Sequence, residues 1–113
     1  WQPRLRVSGS GNIQVQDAEL TDYLDANISG SGNITVLNGT ANNETLRISG
    51  SGNINMADVI VKKANTEISG SGNIKVNAAQ QLEAKISGSG SVYYWGTPLI
   101  TTHVSGSGSV RPL

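Results

Sequence analysis

The sequence predicts an all-β fold, a right-handed parallel β-helix of about six rungs, each 18–21 residues long. Three observations point there. The tetrapeptide Ser-Gly-Ser-Gly recurs at Ser8, Ser29, Ser49, Ser69, Ser87 and Ser105, each time directly after a valine or isoleucine. The copies start 21, 20, 20, 18 and 18 residues apart. Apolar residues flank the glycines of every copy, and apolar and polar residues alternate around most of them. A fixed period of this length marks stacked supersecondary units, none of which can bury its apolar side alone.

Within a rung, the segment entering the glycines reads as a strand. Leu46 and Ile48 straddle Arg47, and Leu82, Ala84 and Ile86 alternate with Glu83 and Lys85, the two-residue period of a strand with one buried side. The segment leaving the glycines repeats the pattern, as in Ile34-Thr35-Val36. No window sustains a helical stripe. Rungs therefore begin near residues 7, 28, 48, 68, 86 and 104, the last cut short, and residues 1–113 form one domain. Stacking in register makes one inward column of Val7, Ile28, Ile48, Ile68, Ile86 and Val104, and a second of Ile13, Ile34, Ile54, Ile74, Val92 and Val110. Each such side chain contributes roughly 1.5–3 kcal/mol when fully buried. The right hand follows from the strong bias of parallel crossovers.

The corner between the two strands carries paired glycines: Gly9 and Gly11, Gly30 and Gly32, Gly50 and Gly52, Gly70 and Gly72, Gly88 and Gly90, Gly106 and Gly108. Two glycines two apart in every rung predict a bend at positive φ, or backbones too close for a Cβ. Asn12, Asn33, Asn53 and Asn73 stack beside them, continued by Ser91 and Ser109, and amides at strand spacing can hydrogen-bond along the axis. The expected role of this ladder is structural. A regular polar face is also compatible with an ordered partner such as a glycan or ice.

Composition narrows the function classes. Eight basic residues balance eight acidic ones, which argues against nucleic acid and acidic membrane surfaces as partners. With no cysteine there is no disulfide and no thiolate metal site. No apolar run approaches membrane-spanning length, so no direct membrane insertion is expected. His103 is the single histidine, and it sits without a visible triad or metal partner. The acids are scattered, apart from Asp17, Glu19, Asp22 and Asp25, which read as a solvated connection because they lack the regular Asp/Gly spacing of calcium-binding coils. Neither a metal nor a cofactor is expected, and the chain reads as no enzyme. A carbohydrate-active enzyme on a β-helix is the weakest of three readings, because it needs clustered carboxylates.

The recurring Ile/Val-Ser-Gly-Ser-Gly-Asn-Ile, the stretch Ile86-Ser-Gly-Ser-Gly-Ser-Val-Tyr-Tyr-Trp-Gly-Thr-Pro98 and the closing Val104-Ser-Gly-Ser-Gly-Ser-Val-Arg111 resemble the head GIN domain of auto-transporter adhesins. The resemblance covers nearly the whole chain and implies a right-handed β-helix on a secreted or envelope-anchored bacterial protein, with an adhesion role. It brings no catalytic residues. Members of that family usually carry further β-rich sequence upstream, a portion expected to be shortened or absent here. A chain beginning at Trp1 rather than Met leaves room for a leader or upstream domain.

The leading functional expectation is therefore a stiff rod that displays a polar Ser/Asn face and an aromatic patch to a surface glycan or protein. Tyr94 falls in the inward column of Val15, Val36, Met56 and Val76, which turns Tyr93 and Trp95 outward as candidate contacts. The same aromatics could instead pack over the loop from Gly96 to Leu99. The alternative is self-assembly into oligomers or fibres through open strand edges, with Leu5 and Val7 as the candidate edge. Trp1 and Pro3 are candidates to cover the first coil.

Overall fold

The computed structural model describes residues 4–96 and 98–112, and their side chains except at 18–21 and 57. Trp1 and Pro3, read as a cover for the first coil, lie outside the described residues, as do the Glu19 side chain and Thr97 of the loop. Ten strands follow one another with no helix among the described residues: β1 (Arg4–Gly9), β2 (Asn12–Val15), β3 (Ala18–Gly30), β4 (Asn33–Val36), β5 (Gly39–Gly50), β6 (Asn53–Gly70), β7 (Asn73–Gly88), β8 (Ser91–Trp95), β9 (Leu99–Ser105) and β10 (Ser109–Pro112). Every pairing is parallel, and each coil pairs with the next. The result is a parallel β-solenoid of about five turns.

Each turn has three walls. The first is made by β1, the later parts of β3, β5, β6 and β7, and β9. The second is made by β2, β4, the starts of β6 and β7, β8 and β10. A shorter third wall joins them, where Gly39, Thr40 and Ala41 pair with Val59, Ile60 and Val61. The register holds like on like: Ile28 faces Ile48, Ile48 faces Ile68, and Ile68 faces Ile86. These isoleucines and Ile34, Ile54 and Ile74 are completely buried. A third inward column runs Leu5, Ala26, Leu46, Thr66, Ala84, Thr102, in which a large side chain is flanked by small ones. Thr66 is buried there, and its hydroxyl donates to the Glu83 carbonyl at 3.1 Å, so its polar group is satisfied.

At the corner the two glycines have different reasons. Gly50 has φ +140°, a conformation that L side chains rarely adopt. Gly52 is outside the positive-φ set, but a Cβ on it would lie 2.2 Å from the Gly32 carbonyl oxygen of the preceding coil. Backbone bonds lock this approach: Ser51 N–H donates to Gly30 O at 3.0 Å and Asn53 N–H to Gly32 O at 3.2 Å. One glycine turns the chain, and the other lets the coils touch.

Beside the corner the asparagines form a ladder. Asn33 Nδ2 donates to Asn12 Oδ1 at 2.9 Å, Asn53 to Asn33 at 3.1 Å and Asn73 to Asn53 at 3.3 Å. Asn53→Ala removes the two bonds that this residue makes, both exposed to water. The expected loss is about 1 kcal/mol with no change of fold, read as a lowered urea midpoint at unchanged slope.

With extents of 35 × 32 × 20 Å, the domain is hardly longer than it is wide. A coil of about 20 residues, at roughly 3.3 Å each, has a perimeter that outruns the stacking height, so the shape is a short block and not the rod expected from the rung count.

Candidate functional site

Two of the concave surfaces on the outer walls of the described residues bear on function. The first surrounds Trp95, at the end of β8. Its register partner on β7 is Asn77, and Tyr93 pairs with Lys75 and with Arg111. Trp95 is 37% exposed, whereas Tyr93 is half-buried. Tyr94, between them, packs partly buried against the core. Trp95, Asn77, Lys75, Asn55 and Asp58 enclose a shallow depression of about 480 Å³. An indole, a cation, a carboxylate and two amides thus sit on a wall of fixed strands.

The second surface is a cleft of about 450 Å³ on the first wall, near its junction with the third. One side is the outward column Tyr23, Asn43, Lys63, Gln81, Leu99, and the other is Thr45, Asn65, Glu83, Thr101. The Tyr23 hydroxyl is hydrogen-bonded to the Thr45 hydroxyl of the next coil and bridges the two sides at one end. Ion pairs near it are exposed: Lys85 Nζ to Glu83 Oε1 at 3.6 Å and Arg47 Nε to Glu67 Oε2 at 3.9 Å. Such pairs contribute little stability.

Between the two sides of the cleft runs the inward column Leu24, Glu44, Ala64, Leu82, Ile100. Glu44 is 2% exposed, and neither carboxyl oxygen has a hydrogen-bond partner. Burial away from water disfavours the charged form and pushes this carboxyl up to about 8. Glu44 is therefore mostly a neutral acid at pH 7. Its register partner in the next coil is the small Ala64.

Residues 2–98 match the family model described as "Putative auto-transporter adhesin, head GIN domain". The chain belongs to this family. Solved structures with the same fold include a "Putative lipid binding protein" from Parabacteroides distasonis, with TM-score 0.85 and 32% identity over 97% of this chain and 52% of that one. A "putative adhesin" from Parabacteroides merdae follows at TM-score 0.70 and 25% identity, covering 97% of this chain and 57% of that one. Another "putative adhesin", from Bacteroides fragilis, has TM-score 0.76 with 97% and 56% coverage, and at 22% identity it shows the fold alone. The head GIN domain chain spans about half the length of these structures. A comparison with curated proteins finds no match.

In this head GIN domain the sequence reasoning singled out Tyr93 and Trp95, which lie on adjoining coil positions of the second wall, with Trp95 alone at the depression. It missed the cleft and Glu44. A signal for Glu44 was present: it stands four residues before Ile48, as Leu24 stands before Ile28, Ala64 before Ile68 and Leu82 before Ile86. Alignment on the Ile-Ser-Gly corner places an acid in an apolar column.

Proposed function

We propose that this head GIN domain is a non-enzymatic module of a secreted or surface-anchored bacterial protein, one that displays its lateral walls to a surface partner and contacts that partner through Trp95. The family description and the name of the Parabacteroides merdae neighbour support the adhesin class. The observation that carries the contact is the exposed Trp95 indole at a polar depression containing Lys75, Asp58 and Asn77. An aromatic face beside hydrogen-bonding groups suits a sugar ring, with its apolar C–H face and polar rim. The lipid-binding name of one neighbour is harder to place on this chain. Its inward columns are filled by side chains, so an acyl chain would have to lie on an outer wall.

The test is binding of the protein to an array of host and microbial glycans, with affinities for each hit read by isothermal titration calorimetry. Trp95→Ala is expected to weaken binding at least tenfold, about 1.4 kcal/mol, with the thermal midpoint kept within a few degrees. Unchanged affinity for every hit would remove Trp95 from the contact.

A further inference from the structure

Side-chain amides on the two outer walls are used in opposite ways. At the corner, Asn33, Asn53 and Asn73 each donate to the asparagine of the preceding coil, so the ladder satisfies itself along the axis. The cleft on the first wall breaks that pattern. Its outward columns run Tyr23, Asn43, Lys63, Gln81, Leu99 and Thr45, Asn65, Glu83, Thr101, so each amide has a residue of another type above and below it. Among the described residues, the side chains of Asn43, Asn65 and Gln81 make no hydrogen bond, and Lys63 makes no ion pair. Exposed groups of this kind are met by solvent, and a ligand that reproduces those bonds can take its place.

The shape and the lining select the ligand. The cleft holds about 450 Å³, within the range of small-molecule sites. Its residues run along the axis from the coil of Tyr23 to that of Leu99, roughly 19 Å at about 4.8 Å per coil. The wall beneath is paired from coil to coil, so a peptide cannot add to it as a strand, which requires a free edge. Leu24, Glu44, Ala64 and Leu82 are buried along its floor and leave no slot for an acyl chain. Amides and hydroxyls each donate and accept, as the hydroxyls of a sugar do, and the 37% exposed Tyr23 adds a ring at one end.

Charge narrows the class further. The charged residues that line the cleft are Lys63, Glu83 and Glu44. Glu83 has Lys85 at 3.6 Å, and buried Glu44 keeps its proton at pH 7. Lys63 is left as the charge without a counterion among the described residues. A bond from its ammonium to a carboxylate is charge-assisted and stronger than one from a neutral amide.

We infer that this cleft is a binding site for an acidic glycan, an oligosaccharide whose carboxylate pairs with Lys63 while its hydroxyls bond to the Asn43, Asn65 and Gln81 amides. The site is separate from the contact at Trp95 and does not rest on it, because the cleft lies on the first wall and the Trp95 depression on the second.

Isothermal titration calorimetry with tetragalacturonate, a hyaluronan tetrasaccharide and sialyllactose, each also as its methyl ester, tests this. At least one of the acids is expected to bind, and its ester to bind roughly tenfold more weakly. Lys63→Gln should lower the affinity for the acid to that of the ester while keeping the thermal midpoint, since Lys63 is exposed and unpaired. Asn65→Ala keeps the charge and should weaken acid and ester alike. Arg6→Gln makes the same change of net charge on the exposed side of β1, outside the cleft, and should bind as the wild type does. Failure of every acid to bind, equal affinity for acid and ester, or equal losses in Lys63→Gln and Arg6→Gln would each overturn the proposal. Binding lost in Trp95→Ala and kept in Lys63→Gln would also overturn it, and would leave the reading of Trp95 standing. Binding lost in Lys63→Gln and kept in Trp95→Ala supports the cleft, whatever the glycan array shows for Trp95.

Discussion

Glu44→Leu is expected to stabilise the domain at pH 8 by on the order of 4 kcal/mol and to flatten the dependence of stability on pH. The sign follows from where the proton sits. Below the ordinary carboxyl value of 4.5, Glu44 is protonated in both the folded and the unfolded chain, and its ionisation costs the fold nothing. Between 4.5 and about 8 the unfolded chain releases the proton while the buried carboxyl keeps it. The folded state then binds more protons, so stability falls as pH rises through this window. Above about 8 both states are ionised and the slope disappears. Leucine has a similar size, continues the column between Leu24 and Ala64, and has no unpaired polar atom. Glu44→Gln should remove the pH dependence but keep a buried group without partners, with a remaining cost of about 1–3 kcal/mol. Urea unfolding at pH 5, 6.5 and 8 checks both variants. Parallel pH profiles for wild type and Glu44→Leu would show that the carboxyl ionises in the fold without penalty.

A buried acid of this kind shows where sequence reading succeeded and where it stopped. The columns through Ile28 and Ile34 were legible because a two-residue period and a fixed repeat leave a single way to stack them, and the structure keeps that register residue by residue. The glycine pairs were legible as a class. Their division of labour was not, because positive φ at Gly50 and the close carbonyl at Gly52 are properties of backbone geometry that both read simply as glycine. Glu44 escaped because it was weighed as one scattered acid among others, although its place in the repeat marks it as inward. The cleft had no such signal. It lies where the first and third walls join, and there the coils differ in length: the pairing slips between Val61 and Lys63 as β6 meets β7. Concavity at a bend depends on those slips, and alternation of residue types does not record them.

The same geometry separates two substitutions that propensity alone would rank together. Gly52→Ala should destabilise the domain by about 3 kcal/mol, and Gly52→Val by more. The backbone at Gly52 is one that alanine can adopt, so conformational strain is not the cause. The cause is contact: the new Cβ would lie 2.2 Å from Gly32 O and 2.6 Å from Ile28 Cγ2. The oxygen cannot withdraw without loosening its bond from Asn53 N–H at 3.2 Å, and the isoleucine cannot turn away without disturbing a filled column. Gly50→Val meets a similar obstacle at 2.4 Å from Gly30 O and adds the strain of φ +140°. At Gly11 the same alanine meets nothing within 4 Å, so its effect on the melting temperature should be within a degree or two. Thermal melts of Gly11→Ala and Gly52→Ala, recorded side by side at one concentration, compare identical chemistry at equivalent corners. A large difference locates the requirement for glycine in the coil-on-coil contact. Equal melting temperatures would place that requirement elsewhere, because coils able to open by the width of a methyl group would not need glycine between them.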